Sequence, residues 1–216
     1  MNYDERYANI KDYFGKESVG ILKEHYKKLD KSKPVLDIGA GQGRNAFFLA
    51  REGYEVDAID ESKVSVEIVS SSAKKENLPI KAYHTGFETF DTGKKKYSGV
   101  LLIGLLPLIS LESIQTLKKK LDIWTERGSL VFVTTFSTDD PSYLRTQDSK
   151  EWELYGKNSF QNKENGFRTY FEKGEILGLF PEYKSLYHWE GMSTGHKHGQ
   201  GEVHQHGMIE VVFQGK

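Results

Sequence analysis

A glycine-rich stretch at residues 35–45, with the sequence V-L-D-I-G-A-G-Q-G-R-N, combines residue types that bind small ligands. The apolar residues at its start predict a buried strand, and helix-forming residues follow its last glycine. Glycines at alternate positions (Gly39, Gly41 and Gly43) allow a sharp turn close to a ligand, and the first helical turn offers unpaired N–H groups. A dinucleotide fingerprint G-x-G-x-x-G would need a glycine at position 44, which is Arg44. The spacing therefore disfavours a nicotinamide cofactor and an oxidoreductase.

An acidic residue follows this loop at the distance expected of a nucleotide-binding fold. Residues 54–60 alternate between apolar and polar types, which predicts a second strand with Asp60 at its carboxyl end. An acid about twenty residues past the glycines accepts hydrogen bonds from ribose hydroxyls in such folds. A solvated acid at the end of a strand is the alternative. The agreement in spacing with the glycines favours a role for Asp60 in binding a nucleoside.

A histidine-rich segment near the end of the chain is the second group with chemical potential. Its histidines are His196, His198, His204 and His206. If the strand before them is parallel to the others, this segment lies over the ligand-binding edge of the sheet. Neutral imidazole is a general base near neutral pH, and it also binds zinc, nickel or copper. A role toward substrate, a metal site and a loop that binds nothing are therefore all open.

The elements that must position these residues alternate along the chain. Predicted strands cover residues 35–38, 54–60, 80–85, 98–103, 129–136, 184–190 and 208–213, and predicted helices cover residues 45–52, 62–76, 111–126 and 171–180. This order predicts an α/β fold with a doubly wound, mostly parallel sheet and right-handed crossovers. Ligands bind such sheets at the carboxyl ends of the strands. The glycine loop and Asp60 should therefore meet at one edge.

Two further segments flank this alternation. Residues 1–33 predict two amphipathic helices, an N-terminal helical cap whose aromatic residues either cover the cofactor or pack on the sheet. Those aromatic residues are Tyr3, Tyr7, Tyr13 and Phe14. Residues 137–170 lose all periodicity directly after a strand, which predicts an irregular lid or substrate insertion. The aromatic residues of this insertion either contact substrate or close over the core.

Composition limits the classes of function. A chain of 216 residues fits a single domain at 1–216, and 30 basic against 31 acidic residues give no bulk attraction to nucleic acid or to a membrane surface. The absence of cysteine excludes disulfides, thiolate metal sites and a cysteine nucleophile. The first residues, M-N-Y-D-E-R, have no apolar core of a signal peptide, and the longest apolar run is too short to cross a bilayer. We expect a cytoplasmic protein.

The glycine loop, with Asp37 two residues ahead of its first glycine, resembles motif I of the class I S-adenosylmethionine (SAM)-dependent methyltransferases. Together with Y-E-V-D-A-I-D at residues 54–60 and F-x-x-G-E-I at residues 171–176, it is most similar to the tellurite-resistance (TehB-type) subgroup. The resemblance covers nearly the whole chain. It implies SAM as the cofactor and a Rossmann-like, seven-stranded sheet with a reversed last strand and helices on both faces.

The resemblance also implies residue roles. Asp37 corresponds to an acid near the methionine ammonium, and Gly104 with Leu105 lies beside the sulfonium. Gly86 stands where many relatives carry an acid that bonds the adenine amino group, which leaves the Phe87 backbone for this contact. The histidine segment lacks the arginine of the TehB-type pattern, which disfavours tellurite and other anionic substrates. The implied cofactor-binding residues are Asp37, Gly39, Ala40, Gly41, Gly43, Asn45, Asp60, Glu61, Gly86, Phe87, Gly104 and Leu105.

The sequence therefore predicts SAM-dependent methyl transfer to a small-molecule acceptor, without nucleic-acid or membrane partners. A soft sulfur, selenium or tellurium nucleophile needs little base assistance, whereas an oxygen or nitrogen nucleophile would use the four histidines as catalytic groups. The alternative is a non-catalytic module that senses SAM or a metal through the histidine hairpin. The sequence does not predict a specific set of metal-binding residues.

Overall fold

The computed structural model of the protein describes residues 3–195 and 202–215. Its helices are α1 (Tyr3–Asn9), α2 (Gly20–His25), α3 (Arg44–Arg51), α4 (Lys63–Glu76), α5 (Leu111–Trp124), α6 (Pro141–Gln147) and α7 (Glu175–Leu179). Its strands are β1 (Val35–Ile38), β2 (Val56–Asp60), β3 (Ile80–His84), β4 (Gly99–Ile103), β5 (Leu130–Phe136), β6 (Glu153–Gly156), β7 (Ser159–Asn162), β8 (Gly166–Thr169), β9 (Lys184–Met192) and β10 (Gly207–Gln214). Within these residues, no helix has the length and apolar character needed to cross a membrane.

Seven of these strands form the main sheet, in the order β3-β2-β1-β4-β5-β10-β9. The strands from β3 to β5 pair in parallel, whereas β10 runs antiparallel to both β5 and β9. Strand β9 therefore points the same way as β1 to β5. The predicted mostly parallel, seven-stranded sheet with a reversed last strand is confirmed.

Helices cover both faces of this sheet, as predicted. On one face α5 and α7 pack through residues such as Leu117 and Ile176, and on the other α2 and α3 pack through Leu22 and Leu49. The central strands have apolar residues toward both layers, which is typical of a parallel sheet buried on both sides. Asp37 is an exception, because this carboxyl lies within the fully buried strand β1.

Serine side chains fix where the helices after β2 and β4 begin. Ser62 accepts a hydrogen bond from the backbone N–H of Ser65 at the start of α4, and Ser110 accepts one from Ser113 at the start of α5. Such caps satisfy N–H groups that the helix itself leaves unpaired. They hold the loops at the carboxyl ends of β2 and β4, where the ligand site is expected.

The prediction of an irregular segment at residues 137–170 is wrong. The segment contains α6 and a second sheet of three antiparallel strands, β6, β7 and β8. Three of the four residues of β6 are exposed, so this strand has no buried face. Because alternation of apolar and polar residues arises only when one face is buried, the pattern by which strands are recognised is missing here.

Candidate functional site

A cleft of about 2590 Å³ opens at the carboxyl ends of β1, β2, β4 and β5. Pockets for single small ligands usually measure about 300–1,000 Å³, so this cleft has room for a cofactor and an acceptor together. All the predicted cofactor residues line it except Asp37 and Gly43. The insertion also contributes to the lining through Arg145 and Arg168, although its role as a lid stays a prediction.

Asp60 holds the glycine loop in place. Its Oδ2 accepts a hydrogen bond of 2.7 Å from the backbone N–H of Gly41, and its Oδ1 accepts one of 2.8 Å from Ser62. Burial raises the pKa of Asp60, and these two backbone donors oppose that rise. A carboxylate has about four acceptor positions, so about two remain for the hydroxyls of a ligand. The structure thus brings Asp60 and the loop together, as the spacing predicted.

Asp37 lies beneath the loop and is 1% exposed, so it does not line the cleft. Among the described residues, no group donates a hydrogen bond to its Oδ2. Burial and the negative charge of Asp60 together raise the pKa of Asp37 to about 7, against the opposing effect of the Arg44 guanidinium. A buried carboxyl with an unpaired oxygen is costly, and a cation bound nearby would reduce that cost.

Gly43 has a packing role in this structure. It has a left-handed φ of +84° ahead of α3, and a Cβ there would lie 2.9 Å from the side chains of Phe47 and Val69. A side chain at this position would force the side chains of Phe47 and Val69 to move. Gly43 therefore allows the two helices to approach each other behind the loop.

The end of β4 lies beside the glycine loop at the cleft. Gly104 adopts a φ of +68° and donates a hydrogen bond of 3.0 Å to Thr134 Oγ1 of β5. The next residue, Leu105, has its Cδ1 3.5 Å from the position of a Cβ built on Gly39. The two predicted sites on β1 and β4 are therefore adjacent parts of one cleft lining.

Two carboxylates occupy the position where an acid was expected at Gly86. A Cβ built there would lie 2.6 Å from Glu61 Oε1 and 3.1 Å from Glu88 Oε2. Glu61 was among the predicted residues, whereas Glu88 was missed because an acid four residues past a strand carries no distinctive signal. Phe87, between Gly86 and Glu88, turns inward and is buried.

The N-terminal aromatic residues lie at the cleft, and that they cover the cofactor stays a prediction. They contact one another and line the cleft; they are Tyr3, Tyr7, Tyr13 and Phe14. The Tyr7 hydroxyl lies 3.0 Å from where a Cβ of Gly41 would be. The Gln42 side chain, within the glycine loop, accepts a hydrogen bond of 2.7 Å from the Tyr13 N–H and donates one of 2.9 Å to the Ile10 carbonyl. The loop and the cap are therefore directly linked.

Asn45 makes a second link to the N-terminal region. Its Oδ1, buried at the start of α3, accepts hydrogen bonds of 3.1 Å from the Ser18 hydroxyl and 3.2 Å from the Val19 N–H. This side chain therefore fixes the segment that leads into α2.

The described part of the histidine segment also reaches the cleft. His204 and His206 line it, whereas His196 and His198 lie outside the described residues. His206 Nδ1 lies 2.6 Å from Asp140 Oδ2. Asp140 was missed, although Asp followed by Pro141 is a recognisable helix start. Within residues 3–195 and 202–215, no cluster of three or more histidine or acidic side chains suits a metal ion.

A comparison with protein families identifies the family of this chain. A family model described as "Tellurite resistance protein TehB" matches residues 6–191. The chain belongs to the TehB family. The predicted resemblance is thereby confirmed.

Among its relatives, a Haemophilus influenzae (strain 10810) protein named "Probable S-adenosyl-L-methionine-dependent methyltransferase TehB" is 27% identical over 178 residues. The match covers 79% of this TehB-family chain and 57% of the relative, so the chain spans a little over half the length of that relative.

Solved structures share the fold of this TehB-family chain. TehB from Haemophilus influenzae superposes with a TM-score of 0.72 and 18% identity, over 100% of this chain and 68% of that one. The 1,6-didemethyltoxoflavin-N1-methyltransferase of Burkholderia thailandensis, with bound 1,6-didemethyltoxoflavin and S-adenosylhomocysteine, gives a TM-score of 0.64 and 15% identity over 91% and 76%. Identities this low support a common fold and nothing finer.

Proposed function

We propose that this TehB-family chain is an enzyme that uses SAM to methylate a small organic acceptor. The observation that carries the proposal is the glycine loop hydrogen-bonded to Asp60 at the cleft, above the buried carboxyl of Asp37, whose Oδ2 has no hydrogen-bond partner among the described residues. When bound, SAM supplies a methyl group on a positively charged sulfur, which is an excellent leaving group. The names of the relatives agree with this activity.

The residues at the cleft fit the parts of SAM. The remaining acceptor positions of Asp60 suit ribose hydroxyls, and the ionised form of Asp37 suits a nearby ammonium. The carboxylates of Glu61 and Glu88, beside Gly86, suit an exocyclic amino group such as that of adenine. The protein must then hold an acceptor in line with the methyl group and exclude water, which is catalysis by positioning.

The first prediction concerns cofactor choice. Isothermal titration calorimetry is expected to show binding of SAM and of S-adenosylhomocysteine (SAH), and no binding of NADH under the same conditions. The physical reason is Arg44. A dinucleotide site has a glycine at this position, because a Cβ would prevent the close packing of helix and strand. Heat from NADH without heat from SAM or SAH would contradict the proposed function.

The second prediction concerns pH. Below its pKa of about 7, Asp37 is protonated, and binding an ammonium beside it must also release that proton. SAH affinity should therefore rise by up to about tenfold per pH unit as pH increases toward 7, and then level off. Calorimetry from about pH 5.5 to 7.5 measures this slope. The matched control is Asp37→Asn, which has nothing to titrate and should remove the slope; an unchanged slope in that variant would assign the pH dependence to another group.

A further inference from the structure

The pair formed by Asp140 and His206 has an arrangement that fixes the chemistry of the imidazole. Asp140 is 2% exposed, and its carboxylate accepts hydrogen bonds from the Ser142 backbone and hydroxyl, from His206 Nδ1 and from the Gly207 N–H. Burial raises the pKa of Asp140, but the bonds from His206 and Ser142 outweigh it, so that pKa lies below its ordinary value. An ionised carboxylate only accepts, so Nδ1 must carry the proton. In neutral His206, Nε2 is then the basic nitrogen.

The backbone around this pair is closely packed and hydrogen-bonded. A Cβ built on Gly207 would lie 2.4 Å from the Asp140 backbone nitrogen, so the start of β10 is in close contact with the start of α6. The His206 N–H donates to Ser193 Oγ at 2.9 Å, and its carbonyl accepts from the Ser193 N–H at 2.8 Å. The imidazole also stacks on Phe136, with 4.6 Å between ring centroids. Pre-organisation of this kind is typical of a group that acts on a substrate.

Exposed apolar side chains contribute to the lining of the same cleft. Four exposed hydrophobic residues line it: Leu108, Trp189, Met192 and Val203. Met192 and Val203 belong to the same hairpin as His206, and Val203 is 72% exposed. Apolar surface left open in a cleft marks a site for an apolar ligand.

On the basis of the proposed function, we propose that the acceptor is an apolar molecule bearing a phenol-type hydroxyl, that His206 is its general base, and that Asp140 positions His206. A phenol, with a pKa of about 10, is within reach of an imidazole with a pKa of about 6.5, whereas an alkyl alcohol is far less acidic. A thiol, with a pKa of about 8.5, needs no such base. Proton transfer to the dyad formed by His206 and Asp140 therefore assists a phenol more than a thiol or an alkyl alcohol.

The step balances in atoms and charge. The proton leaves the acceptor oxygen for His206 Nε2, and an electron pair of that oxygen forms the new bond to the methyl carbon. The carbon–sulfur bond breaks with its electron pair going to sulfur. The products are a methyl ether, SAH and an imidazolium, whose positive charge replaces that of the sulfonium. The Asp140 carboxylate stabilises this imidazolium, and solvent then takes up the proton.

The test uses 4-nitrophenol, whose phenolate absorbs visible light while its neutral form does not. With the protein saturated in SAH, we expect the bound probe to ionise at lower pH than the free probe, because a protonated His206 held by Asp140 favours the phenolate beside it. His206→Ala should lower the phenolate fraction of bound probe at about pH 6 at least about tenfold. Asp140→Asn should act in the same direction, because asparagine still caps α6 but can donate to Nδ1 and favour the wrong tautomer. SAH affinity should stay unchanged in both variants.

The matched control is His188→Ala. His188 Nε2 lies 2.8 Å from Glu190 Oε1, so it is also an imidazole–carboxylate pair, but neither residue lines the cleft. The phenolate fraction of the probe bound to this variant should equal that of the probe bound to the wild type. The ionisable groups His204, Glu202, Arg145 and Arg168 also line the cleft and are unchanged in every variant. Equal ionisation in the wild type and His206→Ala, or no binding of the probe, would overturn the dyad proposal, whereas absence of SAH binding to the wild type would overturn the proposed function.

Discussion

Replacing Gly41 by valine is expected to abolish binding of SAM and SAH while most of the fold survives. Gly41 has a φ of +54°, which a β-branched residue rarely adopts, and a Cβ there would lie 3.0 Å from the Tyr7 hydroxyl. The valine methyl groups would fill the floor of the cleft and displace the N-terminal cap from the loop. We expect calorimetry to show a fall in affinity of at least about 100-fold. Each tenfold change corresponds to about 1.4 kcal/mol, so a fall of this size reflects the loss of several contacts.

Gly93→Val is the control for this variant. Gly93 has nearly the same backbone strain, with a φ of +61°, but no atom lies within 4 Å of its Cβ position and it does not line the cleft. Both variants should lose stability in a thermal melt by a similar amount, because both place valine in the left-handed region. Only Gly41→Val should lose the ligand. Wild-type affinity in Gly41→Val would mean that the cofactor binds elsewhere.

Asp60→Ala is expected to weaken SAH binding by about 1–3 kcal/mol, the range for hydrogen bonds to a charged acceptor. The variant removes the acceptor proposed for the ribose, and it also leaves the Gly41 N–H without its partner of 2.7 Å, so the glycine loop loses its anchor. Calorimetry with SAH measures the loss.

Asp60→Asn separates these two contributions. Asparagine keeps one carbonyl oxygen that can accept from Gly41, but its amide nitrogen cannot accept from a ribose hydroxyl. We expect an affinity between those of the wild type and Asp60→Ala. Unchanged affinity in both variants would assign the ribose to another acceptor in the cleft.

The sequence by itself determined the part of the site that is contiguous along the chain. Residues 35–60 contain a strand, a glycine turn, a helix and a second strand, and each is specified by local periodicity and by glycines that allow left-handed φ. Parallel pairing of β1 with β2 then brings Gly41 to Asp60 without any distant contact. The seven-stranded sheet could be predicted for the same reason, because its strands and helices have buried faces that leave a pattern in the sequence.

Only the tertiary structure decided which distant residues meet at the cleft. His206 and Asp140 are 66 residues apart, and they meet because β10 pairs antiparallel with β5 in a register that sets Met208 opposite Phe136. The carboxylates of Glu61 and Glu88 converge on Gly86, and Gln42 bonds the N-terminal cap, through contacts that no spacing encodes. Strand register and the approach of separate loops depend on the packing of the whole core. A sequence pattern reports which face of an element is buried, but not what that face meets.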